Sequence, residues 1–297
     1  MSLFAAREAG KGVWAGPIRR PQNTAAHHKG SIHDDATAQK LGFRGGTVAG
    51  SLHMEQFPPL LTQLLGDAWW VSGGLSLYFR FATTHLEPVQ CFAVAPRACD
   101  GSQRESAQKR IEVWMDHENG ERIAEGSACV GGVDPTSALR QRITVVPPPG
   151  ELRILAKLDL ARTAADAPVR IPRATLDERL DVVTEPCVEY TVASRWGRPA
   201  LPPSLAVQAM RTVEPGLLSR TGPVVGLFGA IEVQHLDGPL FADEDYRARG
   251  RVLAVSDTPK TEYFWYESIV ADAATGRDRA SMLMMLRFMK ASSPLWA

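Results

Sequence analysis

This 297-residue chain runs through the same order of parts twice. "GGLSLYFRFATTHLEPVQCFAV" and "VGLFGAIEVQHLDGPLFADEDY" each lead from glycine through an apolar strand pattern to His-Leu-acid and then a proline. The matched turns are His85-Leu86-Glu87-Pro88 and His235-Leu236-Asp237-Gly238-Pro239. Downstream, each half reads as strand, turn, strand, with "DHENG" and "DAATG" ending on the glycine that a tight hairpin accepts at positive φ. Upstream, each half offers one helical pattern. Val48, Leu52, Leu60, Leu61, Leu64 and Leu65 mark the first, and Leu205, Ala209, Met210 and Val213 the second. Pro58-Pro59 must restart the first helix, and Pro215 must cut the second short.

A helix followed by long antiparallel strands, twice over at nearly equal spacing, predicts a duplicated α+β unit. Three prolines in "VVPPPGE" forbid regular structure between the copies. The expected domains are therefore 1–146 and 147–297. Each copy, at about 150 residues, is long enough to bury its own core.

Bulk composition excludes several classes of function. Lys plus Arg equals Asp plus Glu, 33 against 33, so no net field draws the chain to nucleic acid or an anionic membrane. No apolar run reaches the ~18 residues of a membrane span, and "MSLFAAREAGKG" lacks a signal-peptide core. Cys91, Cys99, Cys129 and Cys187 follow no CxxC or His-paired spacing, which predicts reduced thiols in the cytoplasm and no structural zinc. There is no HExxH, no GxGxxG after a strand and no GxxxxGK[ST], so no metal or redox cofactor is expected.

The titratable groups are crowded in one place. His27, His28, His33, Asp34 and Asp35 fall within nine residues, just before the glycine-rich turn "RGGTVAG" and an apolar helix. Asp35, ahead of "ATAQKLG", is expected to cap a short helix. His53 on the apolar helix reads as a packed residue, and His85 and His235 as marks of strand ends. Trp69-Trp70 and Tyr263-Phe264-Trp265-Tyr266 read as packing, with some rings available to an acyl pocket.

"SIHDDATAQKLGFRGGTVAGSLHM" resembles the hydratase segment of MaoC-type enoyl-thioester hydratases. Ile32-His33-Asp34-Asp35 fits that segment's Ile-His-x-Asp, Ala36 or Ala38 its small helix position, and Phe43 its aromatic. Gly50, after Ala49, fits the glycine of the His-Gly dipeptide that opens the central helix. The likeness of motif covers residues 28–54, while the layout of both halves is similar to the family's double hotdog. Where the family has an Asp five residues before the His, this chain has His28. Gly30-Ser31 replaces Asn-Pro, and Ala49 replaces the His of His-Gly.

The resemblance implies a double hotdog enzyme that hydrates an enoyl thioester or dehydrates a 3-hydroxyacyl thioester, on CoA or on acyl carrier protein. His33 would activate the water, with His28 or Asp34 in the place of the missing carboxylate. Gly45, Gly46 and Gly50 would let the thioester carbonyl approach unpaired backbone N–H groups, Gly50 serving as an oxyanion donor. Arg19, Arg20 and Arg44 could meet the carrier's phosphates. Two alternatives stay open: a hotdog thioesterase using Asp34 or Glu55, and a non-catalytic acyl-thioester-binding or partner subunit. No resident cofactor is implied. A homodimer is compatible with the zero net charge, and no higher oligomer is required.

Overall fold

A computed structural model describes residues 6–96 and 109–297. Cys99 lies outside the described residues. The first half supplies six strands: β1 (Arg7–Gly10), β2 (Val13–Ala15), β3 (Gly74–Phe79), β4 (Val89–Val94), β5 (Lys109–His117) and β6 (Arg122–Val130). The second supplies five: β7 (Thr163–Val169), β8 (Gly226–His235), β9 (Tyr246–Asp257), β10 (Thr261–Asp272) and β11 (Asp278–Met289). They form one 11-stranded antiparallel sheet in the order β1-β2-β4-β5-β6-β3-β8-β11-β10-β9-β7. The two halves meet where β3 pairs with β8, from Gly74↔Gln234 to Tyr78↔Ala230.

The helices are α1 (Asp35–Lys40), α2 (Gly50–Met54), α3 (Pro58–Leu65), α4 (Trp69–Ser72), α5 (Ala138–Ile143), α6 (Arg173–Leu180), α7 (Pro203–Met210) and α8 (Glu214–Leu217). The prolines act as expected. Pro58 opens α3 as a new segment, and Pro215 sits in the first turn of α8 after α7 has ended. None of the described helices is long and apolar enough to cross a membrane.

Strand alternation sorts side chains between two faces. Leu75 and Leu77 of β3, Ile231 and Val233 of β8, and Met282, Met284 and Leu286 of β11 join Met54, Phe57, Leu60, Leu205 and Met210 in the main core. Ser76 points the other way, and its hydroxyl accepts from the Leu139 N–H of α5. On that face Leu139 packs with Ala230, Tyr263, Trp265, Leu283 and Met285 as a second cluster. A central helix wrapped by an antiparallel sheet, built twice, is the double hotdog arrangement.

The duplication extends to single hydrogen bonds. Thr47 bridges Thr84 in the first half as Ala200 bridges Phe241 in the second. Val48 N–H donates to the Thr83 carbonyl at 2.9 Å, and Leu201 N–H to the Leu240 carbonyl at 2.8 Å. After each bridge the chain turns through a non-glycine residue at φ 61°, Leu86 or Asp243. The structural counterpart of His85-Leu86-Glu87-Pro88 is therefore Ala242-Asp243-Glu244-Asp245, not the His235–Pro239 stretch matched by letters. The turn is set by backbone conformation and strand position, which side-chain identity tracks poorly. His235 instead ends β8, with its ring 5.4 Å from Trp69 and 6.1 Å from Trp70. The halves diverge at His33: it follows the Ile32 carbonyl that accepts from the Thr47 N–H, whereas buried Tyr190 follows the Glu189 carbonyl that accepts from the Ala200 N–H.

Two glycines serve different ends. A Cβ at Gly126 would lie 1.7 Å from the Ser76 carbonyl oxygen, so β6 approaches β3 only without a side chain. Gly276, in the β10–β11 hairpin, has φ +71° and open space around its Cβ position. We therefore expect Gly126→Val to cost about 3 kcal/mol or more, and Gly276→Ala about 1 kcal/mol. Urea unfolding curves measure both, and equal losses would contradict this assignment.

Candidate functional site

The segment that crowds the histidines folds back on itself through its own backbone. Thr47 N–H donates to the Ile32 carbonyl at 3.0 Å, and Asn23 Nδ2 donates to the His33 carbonyl at 2.8 Å. Gly46 must be glycine because a Cβ there would lie 2.2 Å from the His33 carbonyl oxygen. The Gly46 N–H is taken by Asp35 Oδ1 at 2.7 Å. Asp34, not Asp35, caps α1: its carboxylate accepts from the Thr37 N–H and hydroxyl and from Lys29 Nζ. The Lys29 and Thr37 hydrogen bonds pull its pKa down to about 2. The cap sits one residue earlier than expected because Asp35 is held by the glycine turn.

His33 is the histidine of this segment that lines the cleft. Its Nδ1 lies 2.7 Å from the Thr47 carbonyl oxygen. A carbonyl only accepts, so the neutral ring carries its proton on Nδ1 and leaves the Nε2 lone pair free. Burial lowers the pKa of His33; the Thr47 carbonyl opposes this, and the charges of His28 and Arg211 add to it. His28 itself is exposed, its ring 4.1 Å from that of His27, and it makes no hydrogen bond to His33.

His33 and Gly50 line a cleft of about 910 Å³, together with Thr47, Val48 and Phe79 from the first half. Gly50 opens α2, whose N-cap Ala49 offers no side-chain acceptor. Among the described residues no acceptor meets the Gly50 or Ser51 N–H. A Cβ on Gly50 would press 2.7 Å from the Phe79 ring, so the helix start and that ring can share the cleft wall only with glycine here. His28, Asp34, Gly45 and Gly46 do not line the cleft. Glu55 also lies elsewhere, buried at the contact of α2 with α7, where it accepts from the Ser204 hydroxyl.

The opposite wall comes from the second half and was not legible in advance. Arg211 donates from Nε and Nη2 to the two oxygens of Glu214, at 2.6 and 2.7 Å. Tyr266 donates its hydroxyl to Glu214 Oε1 at 2.5 Å, and the guanidinium lies 4.7 Å from the Phe228 ring centre. Arg211, Glu214 and Phe228 all line the cleft. The available signal was an opposite-charge pair three residues apart inside an otherwise apolar helical pattern. The arginines expected at phosphates are committed otherwise: Arg19 to Glu185, Arg20 to the Leu86 carbonyl and Arg44 to Glu87. Arg220 and Lys260 are exposed residues of the cleft lining. No group of three or more His, Cys, Asp or Glu among the described residues is placed to hold a metal ion.

No family model matches the chain, and no curated protein matches it in sequence. Solved structures do. A MaoC domain protein from Chloroflexus aurantiacus J-10-fl, proposed to be a dehydratase, aligns over 97% of this chain and 95% of its own at 13% identity, with a TM-score of 0.62. A conserved Mycobacterium tuberculosis protein with a double hotdog fold aligns over 97% and 96% at 12% identity, TM-score 0.56. A proposed thioesterase II from Thermobifida fusca YX aligns over 96% and 95% at 14% identity, TM-score 0.46. At these identities the likeness establishes the fold: the chain is a double hotdog.

Burial pushes the Glu55 pKa up to about 7, against an ordinary 4.5. Between those values the folded carboxyl holds a proton that the unfolded one has lost, so this group's contribution to stability falls as pH rises through the window. Relative to Glu55→Gln, the wild type should lose roughly 3 kcal/mol between pH 4.5 and 7 and little beyond. Urea unfolding of both proteins across that range checks it. A difference independent of pH would mean that Glu55 stays ionised against Ser204.

Proposed function

We propose that the cleft hydrates a 2-enoyl thioester, or runs the reverse dehydration, with His33 as the proton-transfer group. One observation carries this reading: the Nε2 lone pair of His33, fixed by the Thr47 carbonyl, shares a wall with the unpaired Gly50 N–H. In the forward direction Nε2 takes a proton from water as its oxygen bonds to the β-carbon. The alkene electrons move onto the thioester carbonyl, whose oxygen the Gly50 N–H stabilises at the positive end of α2. The imidazolium then returns the proton to the α-carbon, leaving His33 as it began. The Leu218, Phe228, Leu286 and Phe288 side of the cleft suits an acyl chain, and Arg220 and Lys260 suit the phosphates of CoA or of acyl carrier protein.

Both walls come from one chain, so the chemistry needs no second copy. The thioesterase alternative loses support, because Asp34 and Glu55 are spent on a helix cap and a helix contact. A binding protein that performs no turnover is favoured by one feature, the lack of a free carboxylate beside His33. Glu214, the carboxylate in the lining, is already occupied by Arg211 and Tyr266.

Crotonyl-CoA hydration, followed by loss of enoyl absorbance beside a free-thiol assay, tests the proposal. We expect hydration without thiol release, a loss of roughly 10²-fold or more in His33→Ala, and an acid limb with a midpoint below 6.5. His28 is exposed and outside the cleft, so His28→Asp should leave the rate within a few fold of the parent. Hydration unaffected by His33→Ala would end the hydratase reading. No turnover in the parent with thioester binding retained would identify a binding protein.

A further inference from the structure

The Arg211–Glu214 pair is chemically lopsided. Glu214 is engaged at both oxygens: Arg211 Nε and the Tyr266 hydroxyl donate to Oε1, and Arg211 Nη2 to Oε2. Arg211 is not fully engaged. Its Nη1 meets no acceptor among the described residues, and the side chain keeps 37% of its exposure, toward the cleft that it lines. A pair present only to neutralise itself has no need of the third donor. Tyr266, itself buried, and Phe228 below the guanidinium plane fix the orientation, so little side-chain freedom is left to lose when an acceptor arrives.

We infer that Arg211 is a specificity residue that binds a carboxylate carried by the acyl group, so that the cleft takes monothioesters of unsaturated dicarboxylic acids. This rests on the hydratase reading above. A planar fork with open N–H groups matches a carboxylate in two-point contact, which a single carbonyl cannot use fully. The position fits as well. His33 must act at the β-carbon, and Arg211 faces the cleft near enough for its charge to be felt on the His33 ring. A carboxylate attached at or next to the β-carbon lies between the two. A purely aliphatic chain would cover the open Nη1 N–H groups without giving them an acceptor, a cost that selects against it.

Calorimetric titration with succinyl-CoA and butyryl-CoA tests this, because the two ligands share the carrier and differ only in the acyl terminus. The wild type should bind succinyl-CoA on the order of 10- to 100-fold more tightly. In Arg211→Gln that ratio should collapse toward one. The double variant Arg211→Gln/Glu214→Gln, which leaves no unpaired charge, should show the same collapse if the single variant folds poorly. Equal binding of both ligands by the wild type overturns the inference. So does an equal weakening of both in Arg211→Gln, which would make Arg211 a contact to the carrier's phosphates. Hydration of crotonyl-CoA as fast as fumaryl-CoA would also overturn it while leaving the hydratase reading intact. Preference for succinyl-CoA without any hydration would do the reverse, sustaining Arg211 and ending the hydratase reading. Binding of neither thioester would end both.

Discussion

The pairing of β3 with β8 is the constraint on which the other features depend. Five residue pairs, Gly74↔Gln234 through Tyr78↔Ala230, join two half-sheets into one. The seam is reinforced at its end, where Gln234 Nε2 reaches the Ser72 carbonyl at 2.9 Å and the His235 N–H reaches the Gly73 carbonyl at 2.8 Å. A Cβ on Gly74 would lie 2.3 Å from Gln234 Oε1, so a side chain there would displace the Gln234 amide from the seam. Once the register is fixed, Leu75 and Leu77 share a face with Ile231 and Val233, and α2 is brought against α7. The cleft is a by-product of that contact, because its two walls belong to different halves.

Within the cleft, the site relies on backbone more than on side chains. His33 is oriented by a carbonyl, its carbonyl by Asn23, and the neighbouring glycine turn by Asp35. A carbonyl fixes the tautomer but adds no negative charge beside the ring, unlike a carboxylate partner. The imidazole is therefore kept neutral and available as a base, yet its conjugate acid receives little stabilisation. In the proposed hydration such a residue suits modest proton transfer near neutrality, with the Gly50 N–H carrying much of the remaining barrier.

Local features were legible in the sequence and long-range ones were not. The hairpin glycines Gly120 and Gly276, the restart at Pro58 and the short helix after the Asp pair all depend on neighbours within a few residues. His33 was legible because its spacing to Gly50 is part of a local motif. The cap moved from Asp35 to Asp34 because Asp35 answers to Gly46, eleven residues on. Arg211 and Glu214 were missed because their partners, Tyr266 and the opposite wall, are distant in sequence. The matched His-Leu-acid turns misled for the same reason: shared letters do not show which backbone bridge they precede.

His33 follows the carbonyl that accepts from the Thr47 N–H, and buried Tyr190 follows the matching carbonyl that accepts from the Ala200 N–H. In a dimer of identical hotdogs, every substitution appears on both walls of every cleft. A fused pair is free of that rule. Here one copy has given up its imidazole for core packing, and it furnishes the Arg211–Glu214 wall. On the proposed reading, changes in residues 211–228 can retune which ligand is admitted without touching His33. Fusion lets the two walls of one cleft vary independently of each other.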